Sequence, residues 1–220
     1  MENSTEGAVN HTLDMFLDSE LKIYSEVVLE ISHCLLGKGK LDQITRVYSH
    51  PQALAQCREW LETHLPGATV KQVESTARAA QRARRERGAG AVASEIAASL
   101  YRLTILAEHI EDASSNYTRF LVIAPQFAEP SGQDKTSILF SIKDRVGALS
   151  DMLAPFRRHA INLTKIESRP TKKRAWEYVF FLDFLGHRDD PNVKRALAEL
   201  TQQCLFLKIL GSYPRSEEQA

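Results

Sequence analysis

The spacing of apolar and polar positions changes its period several times along the chain. Residues 21–36 alternate in the manner of extended backbone, and short apolar runs then take turns with amphipathic stretches. Ile44 to Tyr48, Val70 to Val73 and Ala89 to Ala93 read as strands. A helical stretch follows each of them: 51–64 with proline in its first turn, 76–87 rich in alanine and arginine and stopped by Gly88, and 95–101. Leu103 to Glu108 and Tyr117 to Ala124 read as further strands. Strands alternating with helices predict a mainly parallel α/β sheet.

A break comes at 125–135, where two prolines, a glycine and several polar residues separate two patterned regions. Beyond it the order changes to strand 136–142, helix 148–159, strands 161–168 and 176–184, helix 192–203 and strand 206–210. That order is βαββαβ, the ferredoxin-like α+β arrangement. The reading is therefore of two domains, residues 1–127 and 134–215.

Charge and composition narrow the functions available. The 28 Lys and Arg balance 28 Asp and Glu, which leaves no general field for a polyanion and argues against nucleic acid as partner. Residues 1–14 are polar, and no stretch approaches the roughly 18 apolar residues of a membrane span, so the expectation is a soluble, cytoplasmic protein with no membrane partner. The three cysteines form no CxxC pair and the seven histidines no HExxH, so no metal is expected. Gly88-Ala89-Gly90-Ala91-Val92-Ala93 matches GxGxxA, but a helix precedes it and a strand follows, the reverse of the dinucleotide context. The arginines between 78 and 87 read as a solvated helix face.

Chemistry concentrates at three corners where a predicted strand meets a helix, each with a serine: Ser49, Ser75 followed by Thr76, and Ser94. In a parallel sheet such corners share the carboxyl edge, where open α/β sheets bind ligands, and together they suit an anion. Each serine is equally suited to capping its own helix. Asn116-Tyr117-Thr118-Arg119-Phe120 is a second concentration. There Arg119 can clamp a carboxylate beside the Thr118 hydroxyl, or it is a surface arginine on a strand.

Four ordered motifs carry a resemblance: Glu2-Asn3-Ser4-Thr5-Glu6-Gly7, Ser49-His50-Pro51-Gln52, Glu74-Ser75-Thr76-Ala77 and Asn116-Tyr117-Thr118-Arg119-Phe120. In that order they resemble the signatures of prephenate dehydratase. The second region resembles the ACT regulatory domain of that family, with Gly147-Ala148-Leu149 opening its first helix and Glu167-Ser168-Arg169-Pro170 ending its second strand. The resemblance implies a periplasmic-binding-protein-like, two-lobed catalytic domain followed by the ACT domain. It implies a cofactor-free conversion of prephenate to phenylpyruvate, with Thr118 tied to catalysis and Asn3, Ser49 and Gln56 matching other active-site positions. Ser75, Thr76, Ser94, Arg119 and Phe120 are the substrate-binding candidates. L-Phenylalanine is the implied effector, bound by Gly147, Ala148, Leu149, Glu167, Ser168, Arg169 and Pro170 at an interface between ACT domains of a homodimer or tetramer. Many ACT sequences have proline before the glycine, where this chain has Val146.

In the family the Glu-Asn-Ser motif follows a stretch of about half a domain, and nothing here matches that stretch. The expectation is an incomplete first lobe, strand 117–124 without its partner strands, and little or no dehydratase activity for the chain as given. Alternative readings are a non-catalytic phenylalanine-binding ACT module and an arogenate dehydratase, and a chorismate mutase domain fused upstream stays open.

Overall fold

The structure, a computed structural model, describes residues 2–3, 7–8, 10–113, 116–143, 145–170 and 178–216, the side chains of 3, 7–8 and 10–13 excepted. In chain order the elements are β1 (Glu2–Asn3), β2 (Gly7–Ala8), α1 (Asn10–Asp18), β3 (Lys22–Glu30), β4 (Cys34–Gly37), β5 (Arg46–Ser49), α2 (Pro51–Gln56) and α3 (Arg58–His64). There follow β6 (Thr69–Gln72), α4 (Thr76–Arg85), β7 (Ala89–Ala93), α5 (Glu95–Tyr101), β8 (Thr104–Ala107) and β9 (Tyr117–Ala124). The last group is β10 (Asp134–Ser141), α6 (Ala148–Arg158), β11 (Leu163–Pro170), β12 (Tyr178–Leu185), α7 (Pro191–Gln203) and β13 (Phe206–Pro214). Two compact units emerge. One is Leu29–Thr118, with Asn3 grouped to it; the other takes in β2, α1, most of β3, and everything from Arg119 on.

In the first unit a five-stranded sheet runs β6-β5-β7-β4-β8. The strands that lead into helices, β5, β6 and β7, are mutually parallel, as their alternation with helices predicts. β4 alone runs the other way, inserted antiparallel between β7 and β8, so β8 shares the direction of β5, β6 and β7 and the sheet is mixed by one reversed strand. β4 enters from an extended segment and is not the product of a right-handed crossover, which the local pattern could not reveal. β7 is buried along its whole length and built of alanine, glycine and valine, which lets α4 approach closely through Ala79, Ala80 and Ala83. The predicted helix 51–64 is two helices, broken at Cys57. The Asp112 carboxylate accepts the Glu59 and Trp60 N–H groups, both at 3.0 Å, and so caps a new helix start in mid-run.

In the second unit the βαββαβ order is realised as an antiparallel sheet β11-β12-β10-β13, the ferredoxin-like strand order. One face carries α6 and α7 over Ile138, Phe140, Leu182 and Phe184. The other face, with Leu139, Phe181, Leu210 and Tyr213, packs on Phe16, Ile23 and Ala128. A Cβ at Gly211 would run into the Ile23 backbone carbonyl, so glycine is what admits β3 so close. The polar break at 125–135 is tied down: Ala128 is buried, the Arg188 guanidinium lies 3.7 Å from the Phe127 ring centroid, and Asp134 accepts the Ser131 and Gly132 N–H groups at 2.9 and 3.0 Å.

A four-stranded sheet β2-β1-β9-β3 gives β9 a neighbour on each side. The expectation of a β9 without partners is thus corrected: β3 and β1, read from sequence as extended or unassigned, supply them. Tyr24 on β3 and Phe120 and Val122 on β9 are nonetheless exposed apolar side chains. No helix among the described residues is long and apolar enough to cross a membrane.

Candidate active site and effector motifs

The parallel arrangement of β5, β6 and β7 puts their carboxyl ends on one edge, so Ser49, Ser75 and Ser94 do gather there. Their hydroxyls have three different fates. Ser49 is fully buried and donates to the Val92 carbonyl at 2.6 Å, stitching β5 to the end of β7, while His50 takes the capping position. Ser75 caps α4, accepting from Arg78 N–H at 3.1 Å, with Thr76 half-buried behind it. Ser94 stands at the N-cap of α5, exposed, and its hydroxyl makes no cap. Capping therefore accounts for one of the three.

β4, the reversed strand, and β8 complete that edge. Cys34 pairs with Ala93, so His33, just before β4, arrives beside the end of β7, and the segment after β8 arrives next to it. His33 is buried; its N–H donates to Glu111 Oε2 at 2.8 Å and its carbonyl accepts from Ile110 at 3.0 Å. Its ring Nε2 lies 2.8 Å from Gln56 Oε1, which also accepts from Asn116 Nδ2 at 3.3 Å. An oxygen shared in this way requires the proton on Nε2, a tautomer assigned from the network. Gln56, matched by resemblance to the active site, is thereby fixed at the end of α2. Asn116 is buried, and Thr118, also buried, lies two residues on and so on the same side of the strand.

Asn3 has its backbone in β1, next to β9; its side chain lies outside the described residues. Phe120 is 37% exposed and, two residues on from Thr118, shares its side of the strand. Arg119 clamps carboxylates of the protein itself. Its Nη1 donates to Asp183 at 2.8 Å and to Glu2 at 3.2 Å, and Nη2 donates to Tyr213 OH at 2.8 Å. Nε sits 2.7 Å from Glu26 in an ion pair whose N–H is not aligned for a hydrogen bond. Nor is it a surface arginine, its side chain being 16% exposed. Burial works against the guanidinium charge, yet the carboxylates around it raise its pKa further above the ordinary arginine value. Burial first, and the charges of Asp183 and Glu26 with it, push the Tyr213 hydroxyl above the ordinary tyrosine value, so it serves here as a neutral hydrogen-bond partner.

The second set of candidates sits at one end of the ferredoxin-like sheet. Register places Ser141 opposite Val179 and Val179 opposite Arg169, so the loop from β10 to α6 and the end of β11 lie at the same end. Gly147 opens α6 in the left-handed region, φ 78°, a conformation that favours glycine whatever the space around it. Ala148 is buried, Leu149 partly exposed and Val146 99% exposed. Along β11, Glu167 pairs with Lys165 at 3.2 Å and Arg169 lies 3.5 Å from Asp14, while Ser168 and Pro170 pair with Phe180 and Tyr178. β11 is an edge strand, where a proline costs no ladder bond. Among the described residues no group of His, Cys, Asp or Glu is arranged to hold a metal ion.

His33 and Glu111 are site residues that the pattern of the sequence did not single out. A lone histidine before a strand carries no motif, and only the antiparallel entry of β4 brings it to the edge.

The family model for prephenate dehydratase matches residues 1–127, and that for the ACT domain matches 136–202. The chain is 54% identical over 217 residues to a bifunctional chorismate mutase/prephenate dehydratase of Aquifex aeolicus, with 98% of this chain and 60% of that protein covered. It is 42% identical over 220 residues to the prephenate dehydratase of Methanocaldococcus jannaschii, covering 97% of this chain and 79% of that one. Among solved structures, the prephenate dehydratase of Arthrobacter aurescens in complex with L-Phe superposes with a TM-score of 0.86 at 34% identity, over 97% of this chain and 73% of that one. The chain thus spans about 60% of the length of the bifunctional relatives.

Proposed function

The chain belongs to the prephenate dehydratase family and carries an ACT domain, and from that premise we propose that it serves the decarboxylating dehydration of prephenate to phenylpyruvate under feedback inhibition by L-phenylalanine. The carboxylate on the ring carbon leaves as carbon dioxide, its electron pair restores aromaticity, and the ring hydroxyl opposite departs as water once it gains a proton. No cofactor is needed, because aromatisation drives the step. The protein's task is to hold the substrate's carboxylates and hydrogen-bond the departing oxygen.

The observation that carries this reading is the convergence at one sheet edge of Ser49, Ser75 and Ser94 with the His33–Gln56–Asn116 cluster, on the strand side that Thr118 shares. Thr118 is the oriented donor to the leaving hydroxyl; a threonine hydroxyl is too weak an acid to act unaided, so its effect rests on preorganised neighbours. Asn3, Ser49 and Gln56 complete the catalytic set, and Ser75, Thr76, Ser94 and Phe120 line the substrate. Phenylalanine binds at Gly147–Leu149 and Glu167–Pro170, which share one end of the sheet, in a homo-oligomer whose ACT domains pair. The domains run 1–127 and 134–215, in a cytoplasmic enzyme.

Thr118→Val tests the assignment. A positioned proton-transfer group contributes roughly 10²- to 10⁴-fold, so turnover, read as the absorbance of phenylpyruvate in base, falls by at least about 100-fold. The thermal midpoint falls by only about 1–6 °C, as the swap nearly conserves shape and loses about one hydrogen bond. Retained turnover in a folded Thr118→Val protein refutes the role.

A further inference from the structure

Arg119 and Glu2 are each one residue from a catalytic candidate, Thr118 in β9 and Asn3 in β1, and both side chains are held by the ferredoxin-like sheet. Lys165 on β11 reaches Glu2 at 2.7 Å; Glu2 reaches Arg119 at 3.2 Å; Arg119 reaches Asp183 on β12 and Tyr213 on β13, each at 2.8 Å. Ser137 on β10 locks the far end, donating to Asp183 at 2.6 Å and lying 2.7 Å from Tyr213 OH. Lys135 and Arg119 share Glu26, which is almost wholly buried. At the other end Lys165 also faces Glu167, two residues along β11, at 3.2 Å. Glu167 opens the Glu-Ser-Arg-Pro run proposed to take the effector.

We propose that the ionic chain Glu167–Lys165–Glu2–Arg119–Asp183 carries effector occupancy to the catalytic strands, with Glu2 and Arg119 as positioning residues for Asn3 and Thr118. This coupling rests on the function proposed above. Lys165 divides its charge between two carboxylates, one in the effector run and one beside Asn3. A ligand that engages Glu167 or shifts the end of β11 changes that division. Glu2 answers by moving toward or away from Lys165, and Arg119, which shares Glu2, follows. Three cations (Lys165, Arg119, Lys135) face four carboxylates (Glu167, Glu2, Asp183, Glu26) in a largely buried setting, so no member shifts without altering its neighbours' pairing. Linkage makes the effect reciprocal: whatever substrate does to β1 and β9 returns to the effector run.

Lys165→Gln and Glu2→Gln keep side-chain size while cutting the chain at two points. In Lys165→Gln, phenylalanine still binds in calorimetry, but residual turnover at saturating phenylalanine rises at least about fivefold over wild type, the lower range of allosteric coupling. Glu2→Gln lowers kcat with KM unchanged and blunts inhibition likewise. The charge swap Lys165→Glu with Glu2→Lys restores inhibition beyond either single change, which a merely structural contact does not predict. A readout without turnover is amide exchange over 117–121: phenylalanine alters it in the wild type and not in Lys165→Gln. Equal inhibition of wild type and both Gln variants, an equal exchange response, or a swap no better than its singles overturns the proposal. A wild-type protein that forms no phenylpyruvate and binds no phenylalanine refutes the proposed function itself, and the coupling with it.

Discussion

Gly211→Ala puts two opposed effects on one methyl group. Replacing glycine where the backbone suits an L residue stabilises by about 0.4–1 kcal/mol, through the entropy of the unfolded chain. At Gly211 the backbone lies outside the left-handed region, so that gain applies. Against it, the new Cβ would lie 2.8 Å from Ile23 Cβ and 2.9 Å from its carbonyl carbon, and nearer still to the carbonyl oxygen. Backbone cannot swing aside as a long side chain does, so β3 or β13 must move, and overpacking of that kind costs about 1–3 kcal/mol. The upper part of that range applies, and the net is a loss of about 2 kcal/mol. For a chain of this size about 2–4 °C follows each kcal/mol, so the melting midpoint by far-ultraviolet circular dichroism drops by about 4–8 °C. Gly67→Ala is the companion: its Cβ would meet nothing within 4 Å, and the same entropy argument predicts a rise of about 1–4 °C. A Gly211→Ala protein that melts at or above wild type would show that β3 does not pack against β13 as described.

The serine corners separate by stability. Ser75→Ala loses a helix cap and about 1 kcal/mol, seen as a midpoint lower by about 2–4 °C, whereas Ser94→Ala leaves the midpoint unchanged because that hydroxyl caps nothing. A fall in turnover with Ser94→Ala at unchanged midpoint then reads as lost substrate contact, and equal midpoint losses in both variants would refute the capping difference. Glu199 tests the α6–α7 contact by pH: its hydrogen bond from His159 at 2.8 Å, with Arg158 at 3.0 Å, holds its carboxyl below the usual range. A depressed folded value gives stability that is present above the unfolded pKa and lost as pH falls through the folded one. Glu199→Gln thus melts below wild type at pH 7 and converges with it in acid; a gap that persists in acid sinks the assignment.

Much of the fold and part of the site were legible along the chain. Alternation of strand and helix predicts β5–α2, β6–α4 and β7–α5 because each element buries its own local face, and Gly88 ends its helix by a rule of two or three residues. The serine corners follow from the same grammar, since parallel strands must end on a common edge. The βαββαβ order fixes the ferredoxin-like sheet for a similar reason: few ways of pairing four short strands and two helices bury all their apolar faces.

Other features depend on partners far away in sequence. Cys57 breaks a helix because Asp112 arrives to cap the new start. His33 joins the site because β4 enters antiparallel, and a strand's direction is not written in its own residues. The sequence leaves Arg119 as either a carboxylate clamp or a surface arginine, and in the fold its guanidinium closes on Asp183, Glu2, Glu26 and Tyr213, up to 117 positions away. Local pattern reports what a segment can bury and where it turns. Which charges meet across it is decided only when the sheets stack, since an ion pair takes its energy from burial and geometry that no single segment contains.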